Sequence, residues 1–423
     1  MENNNKYKDA SYLNCVHCGK CLPVCPSYNA VLDEFFSPRG RIRLILTDNG
    51  GKLPLKASKI FESMSSCLLC GRCVKICPND VKIGSLVINE KIKLNKYAGN
   101  FQPKEKFVLK ALKNKRKIIL KSALKIANIY PVEKLADGYF PEPEGKSFIR
   151  NRDLIFNVSG KNILKAGYFS GCVFNNIYPL VSLDTITALT ENGVAVFVPQ
   201  AQGCCGLPFI SSGDVKSFKE FALKNATAFN GENLDYIITS CASCSYSANN
   251  LYPLYFDEND EGYSEVIKFS KKLINIWSFF KEAEKIGMEI KSGQLKKETD
   301  AVFHIPCHLA NAAGFKPSSP NERLIGEAGK IIDKIGGLKL KPLKHNYCCG
   351  NGGMLNIKHY NLSKKITKRK FDEIKESSPK EILTSCSGCM FSLKDQKGIF
   401  KENEMLPVSH LISVYAESLN NKK

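Results

Sequence analysis

The stretches 15-CVHCGKCLPVCP-26 and 67-CLLCGRCVKICP-78 share one cysteine spacing, C-x2-C-x2-C-x3-C-P. In this spacing three close thiolates bind irons of one four-iron cubane, and the fourth thiolate, before the proline, ligates the neighbouring cluster. We therefore predict two [4Fe–4S] clusters with crossed ligands. The first takes Cys15, Cys18, Cys21 and Cys77, and the second takes Cys67, Cys70, Cys73 and Cys25.

Zinc is the alternative metal for these two runs, but zinc sites usually use two separated ligand pairs. The intervening segment is too long for a compact bacterial ferredoxin, and 55-LKASKIFESM-64 has a helical pattern. We predict a helical ferredoxin domain over residues 1–100. His17 is interpreted as a loop residue rather than a cluster-tuning one. Arg39, Arg41 and Arg43 are candidates for raising a cluster potential, contacting a partner or packing helices.

Composition restricts the class of protein. The chain has 423 residues, of which 43% are hydrophobic, enough for two or three domains. It has no apolar run long enough for a membrane span, and its polar N-terminus lacks signal-peptide features. These features predict a cytoplasmic protein, or at most one that is peripheral on the inner face of the cytoplasmic membrane. In a reducing compartment, eighteen cysteines favour metal ligation over disulfides.

The net charge of +20 raises the question of nucleic-acid binding, but the excess is local. Residues 90–134 carry thirteen Lys or Arg side chains against three Glu. Within them, residues 105–130 form a basic amphipathic pattern, followed by a Pro- and Gly-rich linker at 137–147. An anionic membrane surface, a partner subunit and the protein's own core are equal candidates for its apolar face. We assign residues 101–160 to this helix and linker.

The rest of the chain describes one unit twice. The stretch 165-KAGYFSGCVFNN-176 corresponds to 300-DAVFHIPCHLAN-311, a Cys-Cys-Gly doublet follows in each copy, and each copy ends in C-x-x-C. Strand patterns at 166–171, 194–199, 236–240, 301–306 and 382–385 alternate with helical ones at 214–230 and 361–377. Alternation of this kind predicts an α/β layer in each copy, over residues 161–295 and 296–423. The predicted fold class is thus α+β and multidomain.

Each copy has five cysteines, more than one cubane or one zinc ion needs. The first set is Cys172, Cys204, Cys205, Cys241 and Cys244, and the second is Cys307, Cys348, Cys349, Cys386 and Cys389. An adjacent pair can place two sulfurs on one side of a cluster, one of them bridging irons. A redox-active dithiol at each C-x-x-C pair and a zinc ion in one copy are the alternatives.

The unit C-x31–40-CC-G-x35–36-C-x-x-C resembles the cysteine-rich CCG domain of heterodisulfide reductase and related electron-transfer subunits. That resemblance implies a non-cubane [4Fe–4S] cluster in a complete five-cysteine set. The segments CVHCG, CPSY and SPRGRI within residues 15–42 resemble the iron–sulfur subunits of bacterial glycolate oxidase, in the same domain order over nearly the whole chain. The stretch 77-CPNDVKIGSLV-87 also resembles the third subunit of anaerobic glycerol-3-phosphate dehydrogenase.

The function follows from these redox centres and from the absence of other sites. The sequence shows no G-x-G-x-x-G fingerprint after a strand, and no nucleophile apart from the cysteine sets. The resemblance implies an electron-transfer subunit of a flavin-dependent 2-hydroxyacid dehydrogenase, with FAD on a separate subunit and a quinone or another acceptor downstream. The alternatives are a subunit of D-lactate or glycerol-3-phosphate dehydrogenase, and a heterodisulfide-reductase-like subunit with a catalytic CCG cluster. No catalytic residue and no nucleic-acid partner is predicted on this chain.

Overall fold

The N-terminal part of the protein is built from short helices. The computed structural model describes residues 10–49, 57–98, 103–113, 141–149, 152–159, 164–311, 326–397 and 399–421. The helices of this part are Pro26–Val31, Pro38–Asn49, Ala57–Ser65, Arg72–Ile76, Ile83–Ala98 and Pro103–Lys113, with 3-10 turns at Ser11–Asn14 and Glu34–Phe36. Three of these α-helices begin with proline. Proline suits the first position because a backbone N–H there would have no partner within the helix. The helix predicted near 55–64 is confirmed.

The first sheet contains five strands in the order β1-β3-β2-β4-β5. The strands are β1 (Leu154–Phe156), β2 (Lys165–Tyr168), β3 (Ala195–Val198), β4 (Tyr236–Thr239) and β5 (Leu273–Asn275). Strands β2 to β5 run parallel, and β1 pairs antiparallel with β3. The helices around this sheet are Gly171–Asn176, Pro179–Glu191, Leu207–Ser211, Val215–Phe229, Ala242–Tyr246, Tyr252–Tyr255, Tyr263–Lys272 and Ile276–Lys285, with a π-turn at Ser247–Leu251.

The second sheet contains four parallel strands in the order β7-β6-β8-β9. The strands are β6 (Gly293–His304), β7 (Ile335–Lys341), β8 (Glu381–Thr384) and β9 (Val408–His410). Its α-helices are Cys307–Ala310, Gly329–Ile332, Leu355–Lys358, Tyr360–Ser377, Ser387–Leu393 and Leu411–Asn420, and its 3-10 turns are Gly326–Ala328, Gly352–Met354 and Glu402–Glu404.

The two sheets are copies of one topology. The order β3-β2-β4-β5 in the first matches β7-β6-β8-β9 in the second, and β1 is an addition to the first. The last strand of each copy leads directly into a helix whose first turn is capped by the strand's final side chain, Asn275 or His410. The predicted duplication of an α/β unit is therefore confirmed, and so is the α+β class.

The helical domain packs against both α/β units. Its helix Ile83–Ala98 meets the first unit, where Lys91 Nζ donates to the Ser211 carbonyl at 2.9 Å. Helix Pro103–Lys113 meets the second unit through a buried ion pair, with 2.8 Å between Lys358 Nζ and Glu105 Oε1. Both side chains are almost fully buried, at 1% and 0% exposure. Because burial without a partner is costly for an ion, this pair fixes the helix on the unit.

Helix Pro103–Lys113 is the part of the predicted basic helix that the structure describes. Leu109 is buried, and Val108 and Leu112 pack on the core, whereas Lys110 points outward. In this segment the apolar face thus packs on the protein itself. The remainder of the predicted basic helix, from residue 114, lies outside the described residues. No helix among the described segments has the length and apolar content required to cross a bilayer.

Candidate metal centres

The cysteines of the two N-terminal motifs are brought together in the crossed arrangement. One space is lined by Cys15, Cys18 and Cys21 of the first motif and by Cys77 of the second. A second space is lined by the remaining four, Cys25, Cys67, Cys70 and Cys73. Each space thus has three thiols from one motif and one from the other, as cubane ligation requires.

The backbone of the two motifs has the same unusual conformation. His17 and Gly19 in the first motif have φ values of 54° and 80°, and Leu69 and Gly71, at the same positions of the second, have 53° and 72°. Left-handed conformations at non-glycine residues are strained and uncommon. The two motifs therefore share one backbone conformation at equivalent positions, as expected if both hold the same kind of cluster. The cysteine sets therefore fit two four-iron clusters.

The three candidate arginines have different environments. Arg39 lines the first space and donates to the His17 carbonyl at 3.2 Å. Arg41 is buried beside the second space and donates to the Ser63 carbonyl at 3.0 Å. Arg43 is exposed. Arg41 thus joins two helices and also brings positive charge to the second set.

The ten remaining cysteines lie at the carboxyl ends of parallel strands, where ligand sites of α/β sheets form. Cys172 follows β2, the doublet Cys204–Cys205 follows β3, and Cys241 follows β4. In the second copy Cys307, the doublet at 348–349 and Cys386 follow β6, β7 and β8 in the same way. Eight of the ten are buried, and Cys172 and Cys307 are half-buried.

In the first set the thiols contact one another directly. The Sγ atoms of Cys172 and Cys204 are 3.6 Å apart. Hydrogen bonds from Cys204 and Cys244 lower the pKa of Cys205 well below the usual thiol range. A thiolate is the form that binds metals, and Cys205 is the thiol of this set that its neighbours favour in that form.

The second set has the same direct contacts between thiols and the same lowered pKa at one cysteine of the doublet. The Sγ atoms of Cys349 and Cys389 are 3.3 Å apart. Hydrogen bonds from Cys348 and Cys389 lower the pKa of Cys349 well below its usual range, as for the matching doublet cysteine of the first set. Cys307 adjoins this set, since it packs against the buried cluster that contains Cys348 and Cys70.

The two sets meet where the α/β units join. Cys241 Sγ lies 3.2 Å from Ser387 Oγ, and Cys386 Sγ lies 3.1 Å from Ser243 Oγ, so each C-x-x-C contacts a serine of the other. Hydrogen bonds from Cys241 and Cys389 lower the pKa of Cys386. The two cysteine sets therefore adjoin each other where the two α/β units join.

The second set also adjoins the second N-terminal motif. Asn311 Nδ2 donates to the Cys70 carbonyl at 2.9 Å, and Arg72 donates to the Asn346 carbonyl at 2.7 Å. A Cβ on Gly353 would lie 2.3 Å from the Cys67 carbonyl oxygen, so only glycine permits this approach.

Arg72 lies at this junction, between Cys70 of the second N-terminal motif and Cys307 and Cys348 of the second tandem set. Burial alone would lower the pKa of the Arg72 guanidinium, but the thiolates of Cys70, Cys348 and Cys307 raise it. Its permanent charge partly offsets the negative charge that thiolate ligands accumulate.

Three residues of the site were not anticipated from the sequence, Arg72 and two histidines beside Cys307. His304 lies with Cys349 and Cys389, with one ligand atom from each within 4.8 Å of the others. His308 stacks on Tyr246 at 4.4 Å and contacts Ser243 Oγ at 3.0 Å. The sequence signal was the spacing H-x-x-C-H around Cys307, which is absent from the first copy.

The fold and the four cysteine sets define a class of iron–sulfur proteins, with a dicluster ferredoxin domain ahead of a tandem cysteine-rich unit. Family comparison agrees: the 4Fe-4S dicluster domain matches residues 11–81, and the Cysteine-rich domain (CCG) matches residues 166–248 and 301–394. The chain belongs to this class.

Its relatives include the probable glycolate oxidase iron-sulfur subunit of Bacillus subtilis, which is 24% identical over 100% of this chain and 97% of its own length. The fumarate reductase (CoM/CoB) of Methanothermobacter marburgensis has a subunit that is 26% identical over 92% of this chain and 69% of its own. Lactate utilization protein A 2 of Bacillus cereus is 26% identical over 61% of this chain and all of its own.

A crystal structure of a hypothetical protein from Helicobacter pylori has a similar fold. Its TM-score is 0.52 at 10% identity, and the match covers 99% of this chain and 74% of that one.

Proposed function

We propose that this chain is the electron-transfer subunit of a flavin-dependent 2-hydroxyacid dehydrogenase that oxidises glycolate to glyoxylate. In this proposal the substrate site and the FAD lie on a separate flavoprotein subunit, and the acceptor is a quinone or another carrier. Iron–sulfur clusters at the four cysteine sets would supply one-electron redox chemistry.

The observation that carries the proposal is the continuity of the four sets. Cys21 and Cys25 belong to one motif but line different spaces, so the first two sets adjoin. Cys307 packs against the buried cluster that contains Cys70. The two tandem sets then meet at their C-x-x-C motifs, where each contacts a serine of the other. Such a series of adjacent centres suits a protein that conducts electrons and leaves substrate chemistry to a partner.

The first set is the exposed end of this series. Cys18 is exposed, and the surrounding apolar side chains Leu13, Val16 and Ile76 are 68%, 68% and 46% exposed. Apolar residues that surround an exposed redox site are typical of a protein–protein contact. We infer that a redox partner docks here.

The full-length match to the glycolate oxidase iron-sulfur subunit supports glycolate as the donor. Purification from the native host under anaerobic conditions tests this. We expect a flavin-containing partner to co-purify, and glycolate to bleach the cluster absorbance of the complex. A complex that D-lactate or glycerol 3-phosphate bleaches, and glycolate does not, would contradict the assignment of the donor.

A second candidate is a disulfide reductase that acts at the tandem units themselves. The half-burial of Cys172 and Cys307, in sets that are otherwise buried, favours it because a substrate needs access. Reduction of a disulfide by the purified chain and a reduced dye, with no flavoprotein present, would establish this function. Absence of turnover under those conditions would leave the electron-transfer proposal in place.

A further inference from the structure

His304 is the last residue of β6 and lies inside the second cysteine set. Its side chain is buried, at 2% exposure, and its Nδ1 atom has no hydrogen-bond partner. One of its ring nitrogens lies with Cys349 Sγ and Cys389 Sγ, with all three atoms within 4.8 Å of one another. Because a buried polar atom without a partner costs free energy, this imidazole requires an explanation.

The first copy has no such group. The repeat alignment places Phe169 at the position of His304. Phe169 is fully buried and packs edge-on against Phe229 and Phe269, at 6.3 and 5.9 Å between ring centroids. An aromatic ring of this size therefore fits the position without any nitrogen. The histidine in the second copy needs a chemical role, since packing alone is satisfied by phenylalanine.

The distances suit metal ligation. Bonds of about 2.3 Å to sulfur and 2.0–2.1 Å to nitrogen place tetrahedral ligand atoms roughly 3.5–3.8 Å apart. The two sulfurs are 3.3 Å apart, and the nitrogen lies within the same 4.8 Å group. A small adjustment of side chains is thus enough for one metal to bind all three atoms.

We propose that His304 is a ligand of the metal centre in the second cysteine set. The two tandem centres then differ in chemistry: the first has sulfur ligands alone, and the second has sulfur and one imidazole nitrogen. This inference depends on the proposed function only in requiring metal at the second set.

The test uses the full chain, purified anaerobically with its metals, from cells grown on 15N-histidine and on unlabelled histidine. Pulsed electron paramagnetic resonance of the partly reduced protein measures nitrogen coupling to iron, and absorption at the zinc edge measures nitrogen ligands if the centre is zinc. We expect the strong coupling of a directly bound nitrogen, changed in frequency by the label. Only the weak coupling of a hydrogen-bonded N–H, or none, overturns the proposal.

Variants assign the nitrogen to one residue. His304→Phe installs the residue of the first copy, and we expect loss of the histidine coupling. His304→Cys offers a sulfur instead and is expected to keep the metal while losing the coupling. The matched control His345→Phe changes an exposed histidine and is expected to change neither. Persistence of the coupling in both His304 variants would refute the assignment.

The labelled wild-type protein decides the question even if a variant fails to fold. Metal analysis separates the two possible failures. A second set without metal contradicts this inference, while iron in the other sets still supports the proposed function. Metal without a nitrogen ligand also contradicts this inference alone, and absence of iron from all four sets contradicts the proposed function.

Discussion

Crossed ligation makes a distinctive prediction for cysteine-to-serine substitutions in the two N-terminal motifs. Cys77 belongs to the second motif in sequence but lines the first space, and Cys25 belongs to the first motif but lines the second space. Cys77→Ser is therefore expected to remove the same cluster as Cys18→Ser. Cys25→Ser is expected to remove the same cluster as Cys70→Ser.

The expected loss of iron per chain follows from the number of cysteines in each set. Loss of one four-cysteine site removes about four irons, which is roughly a quarter to a third of the 12 to 16 irons expected for three or four four-iron clusters. The assay is iron per chain together with the electron paramagnetic resonance spectrum of the dithionite-reduced protein. The Cys18 and Cys70 variants serve as standards, because each belongs to the central run of its own motif.

The result that would refute this reasoning is a spectrum of the Cys77 variant that matches the Cys70 variant. Each motif would then hold its own cluster with four local cysteines, and the crossed geometry of the two spaces would not describe the metal-bound protein. Loss of both clusters in every variant would contradict the independence of the two sites.

Three further predictions concern two contacts between the domains and one buried carboxyl within the helical domain. Glu105→Gln leaves Lys358 charged and buried without its carboxylate, so we expect the unfolding free energy, measured by chemical denaturation, to fall by about 3–5 kcal/mol. The double variant Glu105→Gln/Lys358→Met should recover most of this loss, and an unchanged denaturation midpoint in the single variant would contradict the ion pair. Gly353→Ala places a side chain in a left-handed backbone conformation and in contact with the Cys67 carbonyl, so we expect about 1–3 kcal/mol of destabilisation. A chelator should also bleach the cluster absorbance faster than in the wild type, and equal bleaching rates in the variant and the wild type would disprove the close approach. Burial, opposed by Lys93, raises the pKa of Glu90 to about 7, so its stabilising contribution is complete below pH 4.5 and is lost as pH rises through 7. Glu90→Gln should therefore match the wild type at about pH 4 and exceed its unfolding free energy by up to about 3 kcal/mol at about pH 8, and a difference independent of pH would refute this.

The cysteines can be grouped from the sequence because metal ligation imposes short, fixed spacings, and the assignment of these groups to clusters stays a prediction. The motifs 15–26 and 67–78 specify both the three-plus-one partition of thiols and the helical domain around them. The duplication was visible for the same reason, since ten cysteines at matching separations align the two copies. The strands that precede Cys172 and Cys307 were recognisable as apolar runs of ordinary length.

Other features depended on tertiary packing and were not predictable. Strands β5 and β9 have three residues each, too few for a periodic pattern, and they are defined by pairing with β4 and β8. The position of Arg72 between two thiol sets arises from docking of separate domains, which no local pattern encodes. His304 lies within an apolar run and gave no periodic signal, although its alignment with Phe169 contained the information.

The most direct test of the central claim is the metal content of the anaerobically purified protein. We predict 12 to 16 irons per chain with a similar amount of acid-labile sulfide, since three or four four-iron clusters require it. Co-purification with a flavoprotein is expected in the same preparation. A folded protein that contains zinc but neither iron nor labile sulfide would contradict the assignment of these eighteen cysteines to electron transfer.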